Sequence, residues 1–376
     1  MITPQDWKQP PASVGMSVST IDTPALLIDM EAFEQNLAAV HQRVRDAGVA
    51  LRAHAKAHKS IHIARLQMLA GASGLCCQKA SEAQVFIEAG IRNVLITNQV
   101  VGQGKVERVA RLATMAEISV CVDAEIQITQ LGVAARAAGV HVGVYIEVDI
   151  GHGRCGVTTA SQALALAEVI ASYQPVLTLS GIHAFRGSAQ HMREPDARAQ
   201  AVAFAVTRIR EVIAMLADAG HHCPQVTGGG TGTYELEAMS GVYTEVQPGS
   251  YVLMDTDYAS NIPSASAPAL RHALFGLCTV ISQSPTHAVL DGGLKAFAVD
   301  LGLPRMVLPG WTVKSLSDEH AVIVPEVGAP PLQIGDKVRL IPSHCDPTVN
   351  LHDWLIALRG QIVEDIWPVS ARGALF

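Results

Sequence analysis

Two lysines and two histidines crowd the segment Arg52-Ala53-His54-Ala55-Lys56-Ala57-His58-Lys59, directly after an apolar run. A lysine amine whose pKa is lowered by cationic neighbours attacks carbonyl carbon and forms a Schiff base. Lys56 stands nearer the end of the run than Lys59 and shares strand parity with His54, which makes it the preferred nucleophile. The plain alternative for the cluster is a solvated basic turn.

Two further segments could bind an anion. Thr227-Gly228-Gly229-Gly230-Thr231-Gly232 and Gln247-Pro248-Gly249-Ser250-Tyr251 expose backbone N–H groups with no side chain in front of them. A glycine triplet by itself also serves as a tight turn. In Asp149-Ile150-Gly151-His152-Gly153-Arg154-Cys155-Gly156 the guanidinium of Arg154 stands between glycines and can approach a bound anion closely. Near the C-terminus, Ser343-His344-Cys345-Asp346-Pro347 follows another apolar run. If it stays extended, the imidazole of His344 and the carboxylate of Asp346 point to one face. They would form half a site for Mn²⁺, Zn²⁺ or Mg²⁺, with positions left for water and substrate. Asn350-Leu351-His352-Asp353 adds polar candidates just beyond.

These residues need a scaffold that brings them together. After an opening strand at Ala25–Ile28 and a helix at Met30–Arg45, eight short apolar runs predict strands. They are Val49–His54, Gly74–Gln78, Asn93–Thr97, Ile118–Asp123, Val142–Asp149, Leu179–Phe185, Gln225–Gly228 and Thr244–Leu253. Between them lie Ala- and Leu-rich stretches whose apolar positions recur at three and four residues. Continuous Val/Ile/Leu runs suit strands buried on both faces of a parallel sheet. Eight such units in about 230 residues predict a (β/α)8 TIM-type barrel, with a doubly wound open sheet as the other arrangement. A barrel sets its site at the C-terminal strand ends, and its last two loops commonly hold phosphate. A Schiff-base lysine facing a phosphate loop in one barrel points to pyridoxal phosphate.

After Pro263-Ser264-Ala265 the pattern changes to short strands broken by Gly, Pro, Asp and Asn, with no long helix. The expected division is an N-terminal segment (1–24) packed with the second domain, a barrel (25–262), and a mainly antiparallel β-domain (263–376) carrying His344 and Asp346.

Composition limits the remaining possibilities. With 49% hydrophobic and 16% charged residues the chain can bury a sizeable core. A net charge of −7 without a dense Lys/Arg cluster argues against nucleic acid as a partner. Seven cysteines without metal-site or redox spacing fit a reducing cytoplasm. Residues Met1 to Val18 lack the apolar core of a signal peptide, and no run reaches the ~20 residues needed to cross a bilayer.

The ordered motifs from Asp22-Thr23-Pro24-Ala25 to Ile366-Trp367 resemble fold-type III (alanine racemase-like) pyridoxal-phosphate enzymes, specifically the D-threonine aldolase group, whose near relatives are D-serine dehydratase and 3-hydroxy-D-aspartate aldolase. The resemblance also runs through Cys76-Cys77-Gln78-Lys79 and Gly241-Val242-Tyr243-Thr244-Glu245. It implies Lys56 as the Schiff-base lysine and Arg154 near the cofactor's phenolate oxygen. Gln78 and Asn98 would line the cofactor, and Gly230, Thr231, Gly249, Ser250 and Tyr251 would cradle its phosphate. His344 and Asp346 would be the ligands of a divalent metal, Mn²⁺ first. The expected reaction is cleavage of a β-hydroxy-D-amino acid to glycine and an aldehyde by a homodimer, with His54, His191 and a metal-held water as candidate bases. The rival readings are a metal-dependent dehydratase, a racemase and a non-catalytic pyridoxal-phosphate carrier. Two departures from the family stand out: Ala53 where Pro is usual, and Phe185-Arg186 where Tyr-His is common. The second removes a hydroxyl and adds a fixed positive charge, which would weaken the ring as an electron sink if Arg186 faced its nitrogen.

Overall fold

The computed structural model describes residues 9–264 and 267–376. The first eight residues of the N-terminal segment, and Ala265 and Ser266 at the expected domain boundary, lie outside the described residues.

The opening strand β1 (Ala25–Asp29) is followed by the barrel strands β2 (Ala50–His54), β3 (Gly74–Cys77), β4 (Asn93–Gln99), β5 (Glu117–Val122), β6 (Val142–Glu147), β7 (Leu177–Ala184), β8 (Gln225–Gly228) and β9 (Glu245–Val246). β2 to β9 pair in parallel, and β9 returns to β2 through Ala50–Glu245 and Leu51–Val246, which closes the expected (β/α)8 barrel. All six residues of β6 are buried, as a strand covered on both faces requires. The outer helices present one apolar stripe each: Gln103–Leu112 buries Val106, Val109, Ala110 and Leu112. A fully buried aliphatic side chain of this kind stabilises the fold by ~1.5–3 kcal/mol, so Ile96→Ala in β4 would cost about 2–5 kcal/mol with its cavity.

The last barrel strand is shorter than the expected Thr244–Leu253. Pro248 has no N–H to give the ladder, and the chain turns into a 3-10 segment at Ser250–Val252. That turn brings Gly249 against the end of β2, where Pro248 O accepts from the His54 N–H at 3.1 Å.

The remaining strands are β10 (Leu274–Gln283), β11 (Ala288–Leu290), β12 (Arg305–Met306), β13 (Trp311–Leu316), β14 (Ala321–Pro325), β15 (Lys337–Ile341), β16 (Trp354–Arg359) and β17 (Ile362–Pro368). They form a mainly antiparallel sheet in the order β13-β14-β11-β10-β1-β16-β17, with β15 pairing β10 and β12. β1 therefore belongs to this sheet and not to the barrel, although it lies in the stretch assigned to the barrel from sequence. Its alternation explains the placement. Leu26 and Ile28 enter the large core shared with the barrel helices, while Ala25 and Leu27 pack with Ala12, Ile21 and Phe275 on the opposite face.

The segment after β15 does not stay extended. His344 is extended (φ −141°, ψ 120°) and caps a short helix at Cys345–Val349. Pro347 is tolerated in that first turn, where its missing N–H has no helical partner to serve. Asp255 holds the helix start by accepting from the Cys345 N–H at 2.9 Å. His344 and Asp346 therefore do not share the face of an extended strand; Asp300 fixes the one side chain, and Lys56 and Ser250 the other.

Candidate active site

At the end of β2 the chain passes through the 3-10 turn Ala55–Ala57, which carries Lys56. His54 Nδ1 accepts from the Lys56 N–H at 3.4 Å and fixes the turn. The Lys56 side chain keeps 36% exposure and reaches a cavity of about 470 Å³ at the barrel mouth, shared with Gln78, Arg154, His183, His191 and His344. A larger groove of about 730 Å³ runs between the helices Gln103–Leu112 and Glu125–Ala138. It has no lysine or histidine in its wall, so the chemistry belongs to the smaller cavity. Lys59 is committed elsewhere: it is buried and donates to Glu82 Oε1 at 2.9 Å. Of the two lysines, Lys56 is the one in the cavity wall.

Lys56 Nζ donates to Asp346 Oδ2, and Ser250 Oγ donates to the other carboxylate oxygen at 3.0 Å. Burial alone would raise the Asp346 pKa, but Lys56 and His344 outweigh it and hold the carboxyl far below its usual range. Burial, with the Lys56 charge, pushes His54 well below its ordinary value. Its Nε2 lies 3.1 Å from both Thr97 Oγ1 and Gln78 Nε2, so both ring nitrogens are engaged.

Arg154 lies 3.7 Å from Glu147 and over the Phe185 ring at 5.6 Å. Its loop is shaped by Asp149, whose Oδ1 accepts from the N–H groups of Gly151, His152 and Gly153. Arg186 is not in the cavity wall. Its guanidinium packs against Gly151 and donates from Nε to Ser188 Oγ at 3.3 Å.

On the anion side, no side chain fits at two of the glycines. A Cβ on Gly230 would come 2.6 Å from Gln190 Oε1, and one on Gly249 2.7 Å from His54 O. Thr231 Oγ1 is buried with no hydrogen-bond partner, which a phosphate oxygen would satisfy. Thr231 also lines an adjoining cavity of about 540 Å³ that shares Tyr258 with the first. The residues present thus fit pyridoxal phosphate: a lysine at one end, a glycine-rich cradle with an unsatisfied hydroxyl at the other. Two expected residues stand apart. Tyr251 is fully buried with its hydroxyl 2.8 Å from His41 Nε2, leaving only its backbone to face an anion. Asn98 donates to Gln78 O at 3.0 Å and lies outside the cavity wall.

The metal pair fits a cation. Asp346 is anionic, and His344 donates from Nδ1 to Asp300 Oδ2 at 2.7 Å, which leaves Nε2 for the cavity. A second set of possible ligands is Cys121, Glu147 and His183 inside the barrel, with donor atoms within 4.8 Å of one another. There Glu147 already accepts from Gln99 at 2.5 Å and faces Arg154, so its charge is largely matched.

Several cavity residues stand outside the motifs legible in the sequence. His191 was a candidate base, but not its partner: His191 Nδ1 lies 2.5 Å from Asp257 Oδ2, and Arg193 pairs with the same carboxylate. Gln190 accepts from the Gly232 N–H at 3.0 Å and donates to Thr233 Oγ1 at 2.8 Å, tying the glycine loop to the cavity. The Asp-Thr-Asp at 255–257, just past the 3-10 segment that follows the last barrel strand, is the available signal.

The model of the alanine racemase N-terminal domain matches residues 28–257, and a serine dehydratase-type domain model matches residues 273–358. D-threonine aldolase of Arthrobacter sp is 44% identical over 97% of this chain and 96% of its own length. 3-Hydroxy-D-aspartate aldolase of Paracoccus denitrificans (strain Pd 1222) is 43% identical over 96% of this chain and 95% of its own. The crystal structure of D-threonine aldolase from Filomicrobium marinum superposes with a TM-score of 0.95 at 44% identity, covering 97% of this chain and all of that one. The chain belongs to the fold-type III, alanine racemase-like family of pyridoxal-phosphate enzymes, in the branch that holds these aldolases.

Proposed function

We propose that this protein is an aldehyde-lyase that cleaves D-threonine and related β-hydroxy-D-amino acids to glycine and an aldehyde. The observation that carries the reading is the meeting of Lys56 with Asp346 and His344 at one barrel mouth. Lys56 and the Gly230–Thr231 and Gly249–Ser250 backbone would hold pyridoxal phosphate, which would supply an electron sink for the pair left on Cα when Cα–Cβ breaks. His344 and Asp346 would hold a divalent cation, Mn²⁺ before Mg²⁺ or Zn²⁺, which would lower the pKa of the substrate β-hydroxyl.

The chain's own residues do the rest. Arg154 and Gln78 flank the cofactor position, and His54 holds the Lys56 turn. His191 takes the β-hydroxyl proton on Nε2, since Asp257 fixes its Nδ1–H and His54 has no free nitrogen. The reading includes a homodimer, and the seven unpaired cysteines accord with a reducing cytoplasm. Among the described residues no helix is long and apolar enough to cross a membrane.

The match of residues 273–358 to a dehydratase-type domain favours a second reading, loss of water to give a keto acid and ammonia. Incubation with D-threonine separates them. Glycine and acetaldehyde in equal amounts, reduced by chelator, are expected; ammonia with 2-oxobutanoate as the main products would reject the aldolase assignment.

A further inference from the structure

We propose that Asp300 is the positioning residue of the cation site, fixing the His344 imidazole so that Nε2 is the nitrogen offered to a divalent metal. The inference rests on His344 and Asp346 being the metal-binding pair. Its geometric basis is the 2.7 Å contact between His344 Nδ1 and Asp300 Oδ2. A ligating histidine needs its second ring nitrogen held, because the ring otherwise rotates and the tautomer is free. A carboxylate on Nδ1 fixes both and makes Nε2 a better electron donor.

The contact is built into the fold. The loop that carries Asp300 is stapled to the His344 segment at three points. Ala298 N–H donates to Thr348 Oγ1 at 3.2 Å, Ser343 Oγ donates to Ala298 O at 3.2 Å, and His352 Nε2 donates to Ala296 O at 2.9 Å. Thr348 Oγ1 in turn donates to His344 O at 2.8 Å, so one hydroxyl links the loop to the backbone of the ligand itself. The Asp300 carboxylate is half-exposed, with 50% of its side chain accessible, and a pair so open to water adds little to stability. Its effect is on direction: His344 keeps 22% exposure and lines the cavity with Lys56. Sequence alone hides this role, because Asp300 sits 44 residues before His344 in a loop between β11 and β12.

The test is calorimetric titration of MnCl2 into cofactor-loaded, metal-stripped protein, which requires no turnover. Wild type, Asp300→Ala, Asp300→Asn and His344→Ala are compared, with cofactor absorbance and thermal midpoint as checks of integrity. Asp300→Ala is expected to bind Mn²⁺ about 10–100-fold more weakly, with the cofactor spectrum unchanged. Asp300→Asn should fall between, since its amide oxygen still accepts from Nδ1–H but carries no charge. If Asp300→Ala fails to fold, the Asn variant decides alone. Affinities within twofold of wild type in the Asp300 variants, while His344→Ala is weakened at least tenfold, overturn the role of Asp300. Unchanged binding in His344→Ala as well would remove the metal pair itself and, with it, this inference.

Discussion

Lys56 Nζ and the Asp346 carboxylate form an ion pair across 290 residues, joining the end of barrel strand β2 to the short helix after β15. A residue expected to hold the cofactor thus shares its counter-charge with a residue expected to hold the metal.

That sharing sets the first prediction. In cofactor-free protein the Lys56 ammonium occupies the carboxylate a cation would use. Mn²⁺ should therefore bind cofactor-loaded protein at least ~5-fold more tightly than cofactor-free protein, and by linkage Mn²⁺ should tighten cofactor binding by the same factor. Equal Mn²⁺ affinities in the two forms, measured by titration, would show that Lys56 and the metal do not compete.

Removing the metal ligands should separate binding from catalysis. His344→Ala or Asp346→Ala should lower the rate of D-threonine cleavage by ~10²-fold or more while the cofactor's absorbance is retained. Chelator should reproduce the loss in the unmutated protein, and Mn²⁺ should restore activity there but not in the variants. Full activity after chelation would make the pair structural.

The two lysines should behave differently. Borohydride reduction of cofactor-loaded protein, followed by peptide mapping, should tag Lys56. Lys59→Ala should instead lower stability by ~3 kcal/mol, because Glu82 is left buried and without its cation. Urea unfolding measures the second effect, and a tag on Lys59 would reverse the assignment.

Behind the glycine loop lies an acid that should make stability fall with pH. Glu237 is buried, accepts from Thr233 Oγ1 at 2.8 Å, and has an Oε2 with no partner. Burial pushes its carboxyl from 4.5 up to about 8. The folded state keeps this proton where the unfolded chain loses it, so the contribution is complete below pH 4.5 and is lost as pH rises toward 8. Glu237→Gln removes the titration. Its stability relative to wild type should rise between pH 5 and pH 8, by on the order of 3–5 kcal/mol at full effect. A constant difference across that range, from unfolding at each pH, would place the Glu237 pKa near its ordinary value.

The barrel was legible because each strand is covered on both faces, and double burial writes an uninterrupted Val/Ile/Leu run into the chain. The edges were harder. β9 stops at Val246 because Pro248 cannot continue the ladder, and β12 is a two-residue strand whose partner, β15, lies roughly 30 residues further on. Within the site, Lys56, Gln78, Arg154 and His344 line one cavity because each follows or caps an element ending at the barrel mouth. Asn98 and Tyr251 sit beside the same elements but turn to backbone and core partners. The pairs that orient the site, Asp257 with His191 and Asp300 with His344, join distant segments and leave no local pattern to read.

The place of β1 has a consequence for how the chain is made. This strand precedes the barrel in the chain, yet its two neighbours, β10 and β16, are made only after the whole barrel has been synthesised. Its Ala-Leu-Leu-Ile run must wait, unpaired on both edges, while roughly 240 residues are added. Synthesis thus holds a sticky strand open until the stretch from β10 to β16 has been read, so stalling or truncation before that point strands β1 without partners and favours aggregation over release of a folded barrel.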